Sequence, residues 1–339
     1  MIEAQCPLLI AEAGVNHNGE IELAHRLVDA AVDAGAGAVK FQTFRAERLA
    51  SRVAAKAAYQ KETTSASENQ LDMLKRLELS DAAHRELLVH CRDKGIEFLS
   101  TPFDEDSAEF LKALGVGRFK IPSGEVINTP FLNHVGGLEL PVILSTGMSD
   151  LAEVGEAVAA LQDGGATDIT LLHCVSNYPA AAADINLRAM ATMREAFGLP
   201  VGYSDHTAGL EIALAAIALG ACIVEKHFTL DRSLPGPDHQ ASIEPYQLKA
   251  LAAAAKNIAA AFGDGEKKPA ASELDMRQLA RKSLVATRDI AAGSTLQASD
   301  LAAKRPGSGL SPARIDSVVG RTLKNDLAED DLLREADLL

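Results

Sequence analysis

The sequence predicts a (β/α)8 TIM barrel followed by a small, mostly β or irregular C-terminal domain. Three observations predict it. Short β-rich runs lead into helix-like stretches eight times in the first 262 residues, and this alternation requires a parallel sheet. Eight units in that length match the size of a closed eightfold barrel. The first strand–helix turn, AEAGVNHNG, holds no GxGxxG, which sets aside the doubly wound sheet with its dinucleotide turn.

The elements follow in order. Leu8-Leu9-Ile10 opens the first unit, with an amphipathic segment from about Glu20 to Ala34. Ala38-Val39-Lys40-Phe41 is the second strand, and a long polar loop with helical stretches then runs to about Lys94. Ile96–Leu99 leads to helix 104–114, Arg118–Ile121 to helix 127–135, and Val142–Leu144 to helix 151–162. Ile169–Leu172 leads to helix 187–197, Pro200–Tyr203 to helix 208–219, and Cys222–Val224 to helix 245–262. Asp104 and Ser149 are placed as helix caps. The repeat stops at GDGEKKPAASE, so we divide the chain into a barrel at 1–262, a polar linker at 263–278 and a second domain at 279–339. About 60 residues are marginal alone, so the second domain is expected to dock on another surface.

The bulk numbers exclude several function classes. A formal net charge of −14 argues against nucleic acid and anionic membranes, which need a basic footprint. No apolar run approaches 20 residues, and the N-terminus lacks a basic, apolar leader pattern, so neither a membrane span nor a signal peptide is expected. Four scattered cysteines without CxxC spacing read as free thiols of a reducing cytoplasm.

Active sites of such barrels stand at the C-terminal ends of the strands. The residues there are Glu12; Lys40 and Gln42; Ser100 and Thr101; Lys120, Ser123 and Glu125; Ser145 and Thr146; His173, Cys174, Ser176 and Tyr178; Ser204, Asp205 and His206; and Glu225, Lys226 and His227. Lysines inside strands, as in AVKFQ and RFKIP, are poorly explained as solvated residues, because a buried lysine needs a partner or an anion. With the hydroxyls they read as a phosphate cradle. His206 and His227 end adjacent strands and can face one point, and two imidazoles with a carboxylate and water suit Mn, Zn or Fe. His17, His173 and His239 lie at the same end, so spacing alone does not choose the ligands. Asp205 and Glu225 are placed as residues that orient those ligands. Glu12 and Glu125 either move protons and bind hydroxyls or pair with Lys40 and Lys120. Asp238 is either a ligand-binding carboxylate or a turn residue.

Ten motifs in one order cover essentially the whole chain: AEAGVNHNG, AVKFQTF, KAAYQKETT…SENQLDMLKRLELS, FLSTPFDEDS, KIPSGE, ILSTGMS, LHCVSNYP, GYSDHT, VEKHFTLDRSLPGPDHQASIEP and KRPGSG. Together they resemble the sialic acid synthase family. RKSLVA and DLAAKRPGSGLSP resemble its small antifreeze-like (SAF) domain. The resemblance implies an enzyme that condenses phosphoenolpyruvate with an open-chain, N-acetylated mannose-type sugar and water, giving a nine-carbon 2-keto acid and phosphate. It implies a divalent ion, Mn2+ with Mg2+ or Co2+ as substitutes, held by His206 and His227. It implies a phosphoenolpyruvate cradle of Lys40, Thr101, Lys120, Ser123, Ser145, Ser176 and Ser204. Sugar contacts would come from Gln42, Glu125, Tyr178 and Asp238. Arg305 would reach the site of the partner subunit in a domain-swapped homodimer. The catalytic groups implied are Glu12, Glu125 and His227.

One departure stands out: AAAAD follows Tyr178-Pro179 where the family commonly carries a bulkier, more polar run. Loop 51–70 gives no motif match for a sugar contact. N-acetylmannosamine, giving N-acetylneuraminate, is the first expectation for the acceptor. A 2,4-diacetamido-2,4,6-trideoxymannose, giving a legionaminate-type acid, is the alternative. Rivals of other classes are a Schiff-base aldolase using Lys120 or Lys226 and a non-catalytic sugar-binding protein.

Overall fold

The computed structural model describes residues 6–57, 60–61, 64 and 68–339. Eight parallel strands alternate with helices: β1 (Leu8–Gly14), β2 (Ala38–Thr43), β3 (Glu97–Pro102), β4 (Phe119–Ile121), β5 (Val142–Ser145), β6 (Ile169–Cys174), β7 (Val201–Asp205) and β8 (Ile223–His227). They pair in the order β3-β2-β1-β8-β7-β6-β5-β4, and β3 also lies against β4. This is the TIM-like barrel the alternation predicts. The helices are α1 (Ile21–Ala34), α2 (Ala46–Leu49), α3 (Gln70–Leu77), α4 (Asp81–Lys94), α5 (Glu105–Leu114) and α6 (Thr129–Gly137). They continue with α7 (Leu151–Gly164), α8 (Ala189–Phe197), α9 (Glu211–Ala218) and α10 (Pro245–Phe262). Asp104 caps α5 as expected, whereas α7 is capped by Asp150, not Ser149, through a reciprocal bond with Glu153.

The barrel interior is layered by the period of two along each strand. Ile10, Ala38, Leu99, Ile143, Leu172 and Ile223 form an apolar plug. Two residues further along the same strands stand Glu12, Lys40, Thr101, Ser145, Cys174 and Glu225. Gly202 of β7 has no side chain because there is no room: a Cβ would lie 2.5 Å from the Ile223 carbonyl and 2.7 Å from Leu172. Plug side chains occupy that space.

The first and last βα loops are stapled together beside the site. Asn16 donates from Nδ2 to the Phe228 carbonyl (2.9 Å) and to Ser242 Oγ (2.9 Å), and Ser242 donates to the Asp238 carbonyl (2.7 Å). Asn18 donates to the Pro235 carbonyl at 2.8 Å, and His239 pairs with Thr229 at 2.6 Å. His17 is fully buried in this region, and its Nδ1 accepts from Gly19 N–H.

A second unit spans Asp264–Leu339. It holds an antiparallel pair, β9 (Ser283–Ala286) and β10 (Leu301–Lys304), around its own core of Leu284, Ile290, Leu296, Val318, Leu323 and Leu333. Residues 263–278, expected as a polar linker, are not all extended: helix α11 (Leu274–Ala280) begins inside that stretch. Among the described residues, no helix is long and apolar enough to cross a membrane.

Burial, then the nearby charges of His84 and His239, lowers the His17 pKa to about 3. A histidine with a depressed folded pKa contributes its full stability above its unfolded pKa and loses it as pH falls below about 6.5. The wild type should therefore lose stability faster than His17→Asn between about pH 6 and pH 4, by about 1.4 kcal/mol per pH unit. Urea unfolding across that range measures the difference, and parallel slopes would refute it.

Candidate active site

The strand ends converge on a cavity of about 440 Å3, within the roughly 300–1,000 Å3 range of small-ligand sites. At its floor, Lys40 Nζ lies 2.5 Å from Glu12 Oε2, donates to Thr101 Oγ1 at 2.9 Å, and stands 3.9 Å from Glu225 Oε2. Lys120 Nζ is 3.3 Å from Glu225 Oε1, which also accepts from Ser204 Oγ at 2.9 Å. Both lysines and both glutamates are buried. The β1 strand bulges between Glu12 and Gly14, and Gly14 takes φ +52° where a Cβ would crowd Glu12, Gln42 and Asp238.

The two carboxyls are driven apart. Burial pushes Glu12 up to about 7 against the pull of Lys40, with the Glu225 charge adding to the rise. Burial also disfavours ionised Glu225, but Lys120 and Lys40 outweigh it and hold its pKa at about 2. Such separation assigns different protonation behaviour to two chemically similar groups. Burial lowers Lys120 despite Glu225 beside it.

The hydroxyls complete the floor. Ser145 Oγ is buried without a hydrogen-bond partner among the described residues, a donor left for a ligand. Ser123 Oγ accepts from Gly147 N–H at 2.9 Å and lies 3.1 Å from Cys174 Sγ. Ser176 and Ser204 line the same wall.

Two imidazoles stand at the rim, their ring centroids 5.5 Å apart, and Tyr178 stacks on His206 at 4.2 Å. His206 Nδ1 is held by the Val175 carbonyl at 2.7 Å, which fixes the tautomer and leaves Nε2 as the acceptor. His227 Nδ1 is buried without a hydrogen bond among the described residues, 3.9 Å from Asp238 Oδ2. Burial first of all lowers both histidines, which favours the neutral form that ligates metal. A fixed tautomer and an orphaned nitrogen fit a divalent cation. Among the described residues, no group of three or more His, Cys, Asp or Glu forms a ready cage. Remaining coordination positions would fall to water or substrate oxygens.

Most of the residues expected at the site line this one cavity: Glu12, Lys40, Gln42, Thr101, Lys120, Ser123, Ser145, Ser176, Tyr178, Ser204, His206, His227 and Asp238. Glu125 does not. Strand β4 is only three residues long, the chain turns at Ser123, and the Glu125 carboxylate accepts from Asn128 at 2.6 Å. Arg305 belongs to the second unit, where its Nε donates to the Ala280 carbonyl. His173 bonds the Ile185 carbonyl, and with His17 and His239 it lies outside the cavity lining. Lys226 faces away, bonded to Asp205 (2.6 Å) and the Thr207 carbonyl (2.8 Å), which removes it as a Schiff-base nucleophile. Glu225, expected only to orient a ligand, is instead the centre of the floor. Its signal was available: it is two residues from His227 and therefore on the same strand face. Part of loop 51–70 (residues 58–59, 62–63 and 65–67) lies outside the described residues.

Gly147 sets how close the β5 loop comes to the hydroxyls. A Cβ there would lie 2.3 Å from Ser176 Oγ, 2.7 Å from Cys174 Sγ and 3.0 Å from Ser123 Oγ. Gly147→Ala should raise the KM for an anionic substrate by about 10- to 100-fold, the cost of overpacking, with a smaller effect on melting temperature. Unchanged KM would remove these hydroxyls from the anion cradle.

Comparison with known proteins agrees with this geometry. The model described as "NeuB family" matches residues 27–267, and that of the SAF domain matches residues 281–339. The chain is 49% identical to the N,N'-diacetyllegionaminic acid synthase of Campylobacter jejuni, over 97% of this chain and 99% of that protein. It is 48% identical to the enzyme of the same name from Legionella pneumophila, over 94% and 91%. A solved N-acetylneuraminic acid synthetase from Leptospira borgpetersenii superposes with a TM-score of 0.71 at 36% identity, covering 80% of this chain and 90% of that one. With a family model matching well over half its length and its motifs gathered in one cavity, the chain belongs to the NeuB family.

Proposed function

We propose that the protein is a phosphoenolpyruvate-dependent synthase of the legionaminate type. It joins phosphoenolpyruvate to 2,4-diacetamido-2,4,6-trideoxymannose, with water, to give a nine-carbon 2-keto acid and phosphate. The observation that carries the enzyme reading is the buried floor of Lys40, Lys120 and serine hydroxyls beside two imidazoles. Greater identity to the two legionaminic acid synthases than to the sialic acid synthetase supports the diacetamido acceptor over N-acetylmannosamine, the first expectation.

In this reading, Lys40, Lys120, Thr101, Ser145, Ser176 and Ser204 bind the phosphate and carboxylate of the donor. They hold its C3 toward the sugar aldehyde, near the imidazole rim. His206 and His227 would hold a divalent cation, Mn2+ with Mg2+ or Co2+ as substitutes. When bound, such a cation polarises a carbonyl as a Lewis acid. The C3–C1 bond forms as the donor double bond opens, and the ionised Glu225 faces the positive charge that develops at C2. Glu12, the cavity carboxyl paired with Lys40, gives a proton to the alkoxide formed from the aldehyde oxygen and regains one from the water that adds at C2. Cleavage of the C2–O bond then releases phosphate into the lysine cradle, the C2 hydroxyl proton passes to the departing phosphate, and the ketone is left. Glu125 has no part in this scheme.

Phosphate release with phosphoenolpyruvate and Mn2+, run with both sugars, tests the reading. The diacetamido sugar should give the higher kcat/KM. Chelator should stop release, and His206→Ala should lose metal response together with roughly a thousandfold in turnover. A mutant with wild-type metal dependence would refute the ligand role. Lys120, lined into the cavity and lowered by burial, favours one second reading, the aldolase: chelator-resistant activity and borohydride trapping with a keto acid would establish it.

The proposal extends to a domain-swapped homodimer in which Arg305 of the partner subunit closes the sugar side. Arg305→Ala should then raise the sugar KM more than the phosphoenolpyruvate KM, in a protein whose mass in solution is that of two chains. The opposite KM pattern would sink the lid role.

A further inference from the structure

The cavity has two unlike sides. The floor and the side over β4 to β8 carry lysine, hydroxyl, imidazole and carboxylate groups, with Glu12, Lys40 and Thr101 of β1 to β3 in the floor. Above that floor, the side over β1 to β3 is lined chiefly by apolar side chains, Val15, Leu49, Met73, Leu74, Leu77 and Phe103, with the amides of Gln42, Gln60 and Gln70 among them. Three of the six apolar residues come from α3. Its Gln70, Met73, Leu74 and Leu77 fall at positions i, i+3, i+4 and i+7, so one helical face looks into the cavity. The other face is charged, with Lys75 paired to Glu47 and Arg76 to Glu68, each at 2.7 Å. Asn69 caps the helix by accepting from Asp72 N–H. A Cβ at Gly19 would lie 2.4 Å from the Arg76 carbonyl, so the first βα loop abuts the far end of the helix. The helix is held at both ends, and the wall it presents is firm.

We infer that this wall selects the acceptor, favouring a 6-deoxy mannose-type sugar that carries a second acetamido group over one with a free hydroxymethyl and a single acetamido. The inference rests on the acceptor class proposed above and names the surface that would choose it. The donor's charges require the cationic floor, so the acceptor is left to the apolar side. Of the two sugars, the diacetamido one offers two more methyl groups and no primary hydroxyl. Each methyl laid on such a wall is worth about fourfold in binding. A hydroxymethyl facing it gains no partner from these six side chains and is disfavoured by a further modest factor. Gln70, at the head of the same face, supplies an amide that suits the added acetamido group.

The experiment measures kcat/KM for both sugars in the wild type, Leu74→Ala, Leu74→Met and Leu49→Ser. Leu74 packs in a small cluster with Val15, Phe44 and Met73 and its truncation carries a folding risk; Leu49 is only partly buried and carries less. Preference for the diacetamido sugar should fall roughly tenfold in Leu74→Ala and in Leu49→Ser, chiefly through the sugar KM. Leu74→Met, which keeps an apolar surface, should retain it. A wild type that prefers the diacetamido sugar, with the same ratio in every variant, would overturn the wall and leave the proposed function standing. A wild type that prefers N-acetylmannosamine would overturn the proposed acceptor. The wall would survive that result only if the variants still shifted the ratio, and an unchanged ratio would overturn it as well.

Discussion

Four buried side chains, Lys40, Lys120, Glu12 and Glu225, balance one another at the barrel mouth. Each is between 2% and 4% exposed, a degree of burial that no isolated charge tolerates. Their mutual spacing is therefore a constraint on everything around them. The apolar plug below must be solid enough that none can sink, and it is closed by the missing side chain of Gly202. The strands must be held in register, because a shift of one residue would turn Glu225 outward and Lys226 inward. Thr101 accepts from Lys40 and Ser204 donates to Glu225 Oε1, which ties the ion pairs to the strands around them. In a chain of net charge −14, this cluster gives an anion a local reason to enter.

Much of this was legible before any coordinates. A lysine that interrupts an apolar strand run, as in AVKFQ, announces its burial, and the eightfold alternation announces the barrel. Other parts were not legible, for local reasons. Glu125 sits one motif position from residues that do face the cavity, but β4 ends early and a short turn carries its carboxylate to Asn128. Five histidines at one end of the barrel are equivalent in sequence. His173 bonds a backbone carbonyl and His239 a threonine, and His17 keeps a buried, unbonded Nε2 much as His227 keeps Nδ1; it is the cavity lining that separates His206 and His227 from the other three. The Glu225–His227 face could have been read from the period of two, yet EKH offers either Glu and His or Lys as the inward set; all three are buried, and the Asp205 and Thr207 partners that hold Lys226 on the other face decide. The helical stretches expected before Lys94 carry no bounds in the sequence, because the charged face of α3 is as prominent as its apolar one.

Charge and apolar surface are thus divided between the floor of the barrel mouth and the wall laid over β1 to β3. The floor is chemically demanding, since its lysines and glutamates are paired across strands by register. The wall is built largely from a helix and loops laid over the strands, and it tolerates exchange of one apolar side chain for another. A fold arranged this way can keep one reaction while changing the molecule that undergoes it, because the two demands fall on different segments.

The staple between the first and last βα loops has a consequence for synthesis. Asn16 waits for Phe228 and Ser242, 212 and 226 residues later, and Glu12 and Lys40 wait as long for Glu225. A nascent chain with seven units complete carries two lysines whose central counter-charge has not yet left the ribosome. Contacts of such separation are slow to form. The mouth of this barrel is therefore assembled only when translation of the catalytic region is nearly finished, and an incomplete chain has no partial version of the site to misuse.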